Sequence, residues 1–215
     1  MIFQETYYLY FIFLTSFSLS TLVCFIQDNY YNYKYVQNLS KTQILNIYKK
    51  ALPLVLLNAF ITIPISLIIF QNFYFLLTPF NYYQVYHIPL FFILIDPFFY
   101  FFHYLFHNKY LYKFHKVHHQ IKTPVSITSI YLHPIDLIFG NILPLFLPVF
   151  VLQSSMPLLY FWTAFTICET TYFAHSGVKG RCEDHDLHHQ LFNCNYGSGI
   201  YFVDRILNTY LLKEN

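Results

Sequence analysis

The chain has 215 residues, 56% of them hydrophobic and only 10% charged, against roughly 25% charged in soluble domains. No Lys, Arg, Asp or Glu lies between Lys50 and Asp96, or between Asp136 and Glu169. A water-soluble domain is therefore excluded, and a formal charge of +2 leaves nothing to attract nucleic acid.

Tyr7 to Ile26 is an uncharged apolar stretch of about 20 residues, one bilayer core in length as a helix. It reads as a retained membrane helix rather than a signal peptide, because Glu5 is the only charge before residue 28 and no basic flank precedes the stretch. Ala51 to Phe70 is a second span, in which Pro53 and Pro64 are tolerable in lipid. Ile88 to about His107 is a third, apolar at first and then studded with polar groups. Leu137 to Phe173 is broken by Pro144, Pro148 and Gln153-Ser154-Ser155-Met156-Pro157, which predicts a hairpin of two shorter helices.

Basic residues assign the sides. Lys34, Lys41, Lys49 and Lys50 fall between spans one and two, and Lys109, Lys113, Lys116 and Lys122 between span three and the hairpin. Lys179, Arg181, Arg205 and Lys213 lie in the tail. If every span crosses and the hairpin returns, all of them share one face, expected to be cytosolic. The Asn38-Leu39-Ser40 sequon would then lie on the wrong side for glycosylation. Cys24, Cys168, Cys182 and Cys194 form no C-x-x-C pair and no evident disulfide framework.

The 11 histidines are not scattered. Asp96, Tyr100, His103 and His107 recur at spacings of four, three and four, one face of a helix. Ionisable groups at membrane depth are costly and mark function by default. His115-Lys-Val-His118-His119 follows, and His185-Asp-Leu-His188-His189 repeats the same H-x-x-H-H pattern far downstream. His103 and His107 with these two clusters make eight imidazoles, too many for one metal ion and suited to two. Neutral imidazole accepts Zn, Cu, Fe or Ni. His175, where the hairpin emerges, is a ninth candidate ligand. His133 is balanced between ligand and structural residue, and His87, on the opposite face, is interfacial. Asp96, Asp136, Glu169, Asp184, Asp186 and Asp204 are candidates to accept the ligands' other ring N–H, or to ligate directly. For Glu183, Asp184 and Asp186 plain solvent-facing charge is an equal reading.

In order, Asp96-x-x-x-Tyr100-x-x-His103-x-x-x-His107, His115-Lys-Val-His-His119, His133-Pro-Ile-Asp136, His175-Ser-Gly177, His185-Asp-Leu-His-His189, Asn195-Tyr-Gly197 and Asp204-Arg205 resemble the fatty acid hydroxylase/sterol desaturase superfamily of membrane di-iron oxygenases. The chain is most similar there to sterol C4-methyl oxidases, and Phe192-Asn-Cys-Asn195 is similar to sterol 25-hydroxylases. Three features depart from the pattern: Leu207-Asn208-Thr209 replaces the usual Phe-Gly-Thr, residues 176–184 are shortened, and Phe101 stands where Trp is common.

The expected fold is an all-α integral membrane protein with about four transmembrane helices, the last two as a hairpin, under a cytosolic histidine-rich di-metal cap. Residues 1–87 would supply N-terminal membrane helices and loops, and 88–215 the catalytic domain. The resemblance implies two Fe ions bound by His103, His107, His115, His118, His119, His175, His185, His188 and His189, with O2 as co-substrate. It implies hydroxylation of an unactivated C–H of a sterol or other lipid in the endoplasmic reticulum membrane. Electrons would come from NAD(P)H through a cytochrome b5-type donor, since the chain has no G-x-G-x-x-G fingerprint of its own. Phe99, Phe102 and Trp162 are candidate substrate-lining residues. The alternatives are sterol 25-hydroxylase, sterol C5-desaturase or fatty acid hydroxylase chemistry and, outside the superfamily, a histidine-rich metal transporter or an inactive scaffold.

Overall fold

The computed structural model describes residues 2–30 and 37–212; Lys34 and Lys213 lie outside them. Helix α1 (Ile2–Tyr30) is about 43 Å long at 1.5 Å per residue, more than a bilayer core. Helix α2 (Lys41–Leu57) begins ten residues before the predicted span. Ser40 caps it, its Oγ accepting from the Gln43 N–H while the Gln43 side chain accepts from the Ser40 N–H. Hydropathy marks only the part of a helix meant for lipid, so the polar first turns escaped it. A π-turn (Asn58–Thr62) leads into α3 (Ile63–Phe70), and Pro64 falls near its start, where a missing N–H costs least.

Helix α4 (His87–Phe106) tolerates Pro97 in its interior. Short helices α5 (Tyr112–His115) and α6 (Pro134–Asp136) flank a loop, and a π-turn (Leu137–Ile142) joins α6 to α7 (Leu143–Val151). Helix α8 (Met156–Cys168) runs back into a third π-turn (Glu169–Ala174). Helices α9 (Glu183–Leu191) and α10 (Phe202–Ile206) complete the chain. The described residues contain no strand.

Among the described residues, four helical stretches are long and apolar enough to cross a membrane: Phe3–Tyr30, Lys41–Leu76, Tyr82–Phe106 and Pro134–Val151. Phe11, Leu19, Leu22, Phe60, Ile61, Ile65 and Ile68 are each at least half exposed, a surface that water would penalise and lipid accepts. The hairpin is present, with its tip at Leu152–Ser155. That tip meets the loop before α4: the Thr78 N–H donates to the Ser154 carbonyl at 2.9 Å, and His87 Nδ1 lies 2.6 Å from Ser154 Oγ. The tip and this loop therefore share one end of the bundle, and the histidine clusters occupy the other. Trp162 Nε1–H donates to the Leu145 carbonyl at 2.7 Å and locks the two arms together. The Tyr160 hydroxyl bonds to Glu5 and ties α8 to α1. Leu9, Phe13, Ile63 and Leu67 share one continuous core with Phe99, Leu145 and Phe146.

Candidate metal centre

The end of α4, helix α5 with the turn after it, the exit of the hairpin and helix α9 each deliver histidines to one place. His103 with His107, and His185 with His189, lie four apart on one helical face and point inward together, while the turn after α5 brings His119 back beside His115. The rings sort into two nests, His103, His107, His115, His119 and His188 in one and His118, His175, His185 and His189 in the other. Within each nest one ring nitrogen per residue lies within 4.8 Å of all the others. In the first nest the Nε2 atoms of His103 and His115 are 3.1 Å apart, of His115 and His119 2.9 Å, and of His119 and His107 3.3 Å. In the second, His118–His175 is 3.4 Å, His175–His185 3.1 Å and His185–His189 3.1 Å.

What each outward Nδ1 faces fixes the tautomer of most of these rings. His103 Nδ1 faces the Tyr196 carbonyl at 2.8 Å, His188 Nδ1 the Cys194 carbonyl at 2.6 Å, and His115 Nδ1 the Asp136 carboxylate at 2.8 Å. In the other nest His118, His175 and His189 turn Nδ1 to the carbonyls of Tyr131, Thr170 and Ile121. A carbonyl only accepts, so in the five neutral rings that face one the proton sits on Nδ1 and a bare lone pair on Nε2 points inward. Lone pairs about 3 Å apart repel, and His188 Nε2 is buried with no partner at all. A cation held about 2.1 Å from each imidazole nitrogen would separate neighbouring ligands by about 3.0–3.4 Å, the spacing found here. The donor set fits one metal ion per nest.

Burial holds these rings neutral. It pushes His107 down to about 2, helped by the charge of His103, and His175 down to about 4 against the opposing bond to Thr170. His115, His118, His119, His185, His188 and His189 are held below the ordinary imidazole value by burial first and by one another second. An unfolded chain takes up protons near pH 6.5, whereas the folded cap does not until well below it. Stability therefore rises with pH across that window and is lost on acidification. The unfolding temperature of metal-free protein in detergent should fall steadily from about pH 7 to about pH 5. A flat profile by scanning fluorimetry would mean that the rings titrate freely.

The expected acceptors divide. Asp136 is fully buried against His115, and its other oxygen has no partner. Gly140 faces this carboxylate so closely that any Cβ there would collide with it. Asp136→Ala should weaken metal retention about ten- to a hundredfold, as loss of such ligand-orienting groups does elsewhere; chelator titration reads it directly. Asp96 instead accepts the backbone N–H of Ser198 (3.2 Å) and Val203 (2.9 Å), and Asp204 those of Tyr196 (2.9 Å) and Gly197 (2.7 Å). These two carboxylates hold the loop whose Tyr196 carbonyl orients His103, so they act one step further from the nests than expected. Asp184 accepts from the Tyr210 hydroxyl, and Asp186 from Gln37 and Gln190; both are tied into the cap rather than facing solvent.

His133 caps α6, its Nδ1 accepting the Ile135 N–H at 3.2 Å, and its ring packs on Phe114. His133 belongs to neither nest. Tyr196 was missed as a site residue: its ring lies 5.1 Å from His107 and 5.6 Å from His188 between centroids. Only its place in Asn195-Tyr-Gly197 could have flagged it.

A cavity opens beneath both nests. His103, His115, His118, His175 and His185 form one end; Leu9, Phe13, Leu67 and Phe146 form the other. Phe99 lines it, whereas Phe102 and Trp162 do not. Glu169 lies on its wall.

Residues 88–209 match the fatty acid hydroxylase family model. Methylsterol monooxygenase 1 of Rattus norvegicus is 34% identical, the match covering 54% of this chain and 44% of the relative. C-4 methylsterol oxidase of Schizosaccharomyces pombe is 28% identical over 59% of this chain and 47% of its own length. Fatty acid hydroxylase domain-containing protein 2 of Macaca fascicularis is 32% identical over 51% and 34%. The chain thus spans under half the length of each of these relatives, and no solved structure matches. The matched stretch contains both H-x-x-H-H clusters, the H-x-x-x-H pair and His175, and more than half of the chain lies within it: the chain belongs to the fatty acid hydroxylase family.

Proposed function

We propose that this protein is a membrane-bound di-iron oxygenase that hydroxylates an unactivated C–H bond of a sterol, in the manner of a C4-methylsterol monooxygenase. The observation that carries the reading is the single cavity that joins the apolar membrane interior to both imidazole nests. The nine histidines would hold the two irons, with Asp136 orienting His115. When bound, the irons supply the O2 activation that imidazole and carboxylate side chains lack.

The residues do the rest. Phe99 and Phe146 would bury the hydrocarbon and exclude water, and outward Nδ1 bonds keep six of the nine rings aimed. The reaction consumes the C–H substrate, O2, two electrons and two protons, and releases alcohol and water. Repetition on one carbon would give aldehyde and then acid. The electrons would come from NAD(P)H through a cytochrome b5-type donor docking on the basic cap face around Lys109, Lys113, Lys116 and Lys122. That face would be cytosolic, in the endoplasmic reticulum membrane. We read 88–215 as the catalytic domain and 1–87 as membrane helices that complete the cavity wall through Leu9, Phe13, Ile63 and Leu67.

The test is single-turnover oxidation in lipid nanodiscs, with iron-loaded protein, a reduced cytochrome b5-type donor and isotopically labelled O2. Labelled oxygen is expected in an offered methylsterol. Incorporation only into a fatty acid would move the protein to another activity of the family, and none into any lipid would overturn the oxygenase reading.

A further inference from the structure

The cavity wall carries polar groups that the metal centre does not use. Most are already engaged: Ser129 Oγ pairs with Thr171 Oγ1 at 3.1 Å, and Asn141 Nδ2 donates to the Asp136 carbonyl at 3.3 Å. The hydroxyls of Thr163, Thr166 and Thr170 donate to carbonyls one turn back in their own helix at 2.8–2.9 Å, a habit of Thr within helices. Glu169 and Tyr201 differ. Both line the cavity, yet neither the Glu169 carboxyl nor the Tyr201 hydroxyl makes a hydrogen bond to any described residue.

The two come from opposite directions. Glu169 opens the π-turn after α8, six residues before His175. Tyr201 precedes α10 in the loop clamped by Asp96 and Asp204. It is only 9% exposed and has φ of 52°, a left-handed conformation rare for a bulky side chain. Burial first, and then the charge of Glu169, raise the Tyr201 pKa, so the phenol keeps its proton and remains a donor.

We propose that Glu169 and Tyr201 form a two-point anchor for the single hydroxyl of an otherwise apolar lipid substrate. A hydroxyl both donates and accepts: it accepts from the Tyr201 O–H and donates to Glu169, satisfying both groups at once. A free fatty acid would bring a second carboxylate against Glu169, whose pKa burial raises to about 7, and would be repelled above that pH. The anchor selects a neutral alcohol such as a sterol, and sets the carbon beside that hydroxyl toward the histidine end of the cavity. Only this last consequence rests on the oxygenase reading; the binding preference does not.

The experiment is equilibrium binding to metal-free protein in nanodiscs, using a labelled methylsterol, the same sterol lacking its ring hydroxyl, and palmitate. Wild type should prefer the hydroxylated sterol by about tenfold or more, the usual worth of a well-placed hydrogen bond, and should bind palmitate weakly. Tyr201→Phe and Glu169→Leu should each reduce that preference toward unity while leaving the deoxy sterol's affinity unchanged. Equal binding of the two sterols by wild type, tighter binding of palmitate, or variants that weaken both sterols alike would overturn the anchor. Because no metal is present, its failure is separate from any failure in the iron or oxygen-incorporation assays.

Discussion

Protein purified in detergent after growth with iron is expected to carry about two iron ions per chain, and the His118→Ala/His188→Ala variant to lose both. Each histidine sits in a different nest, His188 with His103, His107, His115 and His119, and His118 with His175, His185 and His189. Both are buried, at 0% and 5% exposure, so water cannot easily stand in for the missing nitrogen. His188 Nε2 has no partner within the protein, which makes it a donor whose burial is otherwise uncompensated. Oxygenase turnover should fall below detection with the metal. The single variants sharpen the test: each should empty one nest and leave the other partly loaded. Elemental analysis of folded protein, verified by gel filtration, is the measurement. Full iron in the double variant would mean that the nests are not the metal site.

Gly197→Ala should be the most damaging change outside the nests. A Cβ at this position would strike the carboxylates of both Asp96 and Asp204. Each is fully buried and holds two backbone N–H groups of the loop that includes Tyr196. Neither carboxylate can withdraw without leaving those donors unpaired in a dry interior, a cost that adds to the steric one. A loss of about 3 kcal/mol or more is expected. The displaced loop would also release the Tyr196 carbonyl from His103 Nδ1. Thermal unfolding should drop by several degrees, and iron at the first nest should fall even in the fraction that remains folded. Wild-type stability in Gly197→Ala would show that the loop has slack that its hydrogen bonds do not suggest. Gly197 earns this place through close approach rather than conformational freedom, for its φ is not in the left-handed region.

Much of this protein is legible in its residues because the governing physics is local. Apolar runs without charge announce membrane helices wherever they fold. Helix α2 nevertheless starts at Lys41, since a polar first turn capped by Ser40 leaves no hydropathy signal. Histidines four apart on one helix share a face, so the pairings of His103 with His107 and of His185 with His189 follow from spacing, whereas His119 reaches His115 through a turn. The hairpin break at Gln153-Ser154-Ser155 likewise needed only Pro, Ser and the interruption of an apolar run. What spacing could not decide was which cluster serves which nest. His118 and His119 are neighbours in sequence yet belong to different nests, because successive side chains on a turn point in different directions.

The tertiary fold alone settled the partners beyond the rings. The acceptors for His103, His118, His175, His188 and His189 are backbone carbonyls, which every residue has and no sequence pattern marks. The carboxylates seemed interchangeable as sequence candidates. Packing gives Asp136 to His115, gives Asp96 and Asp204 to a backbone loop, and places Glu169 and Tyr201 on the wall of one cavity. Tyr201 lies 32 positions from Glu169 in sequence, and no periodicity relates the two. Local pattern determined that this chain is a histidine-capped membrane bundle; long-range packing determined what each polar group touches, because a buried polar atom takes whichever partner the fold brings within reach.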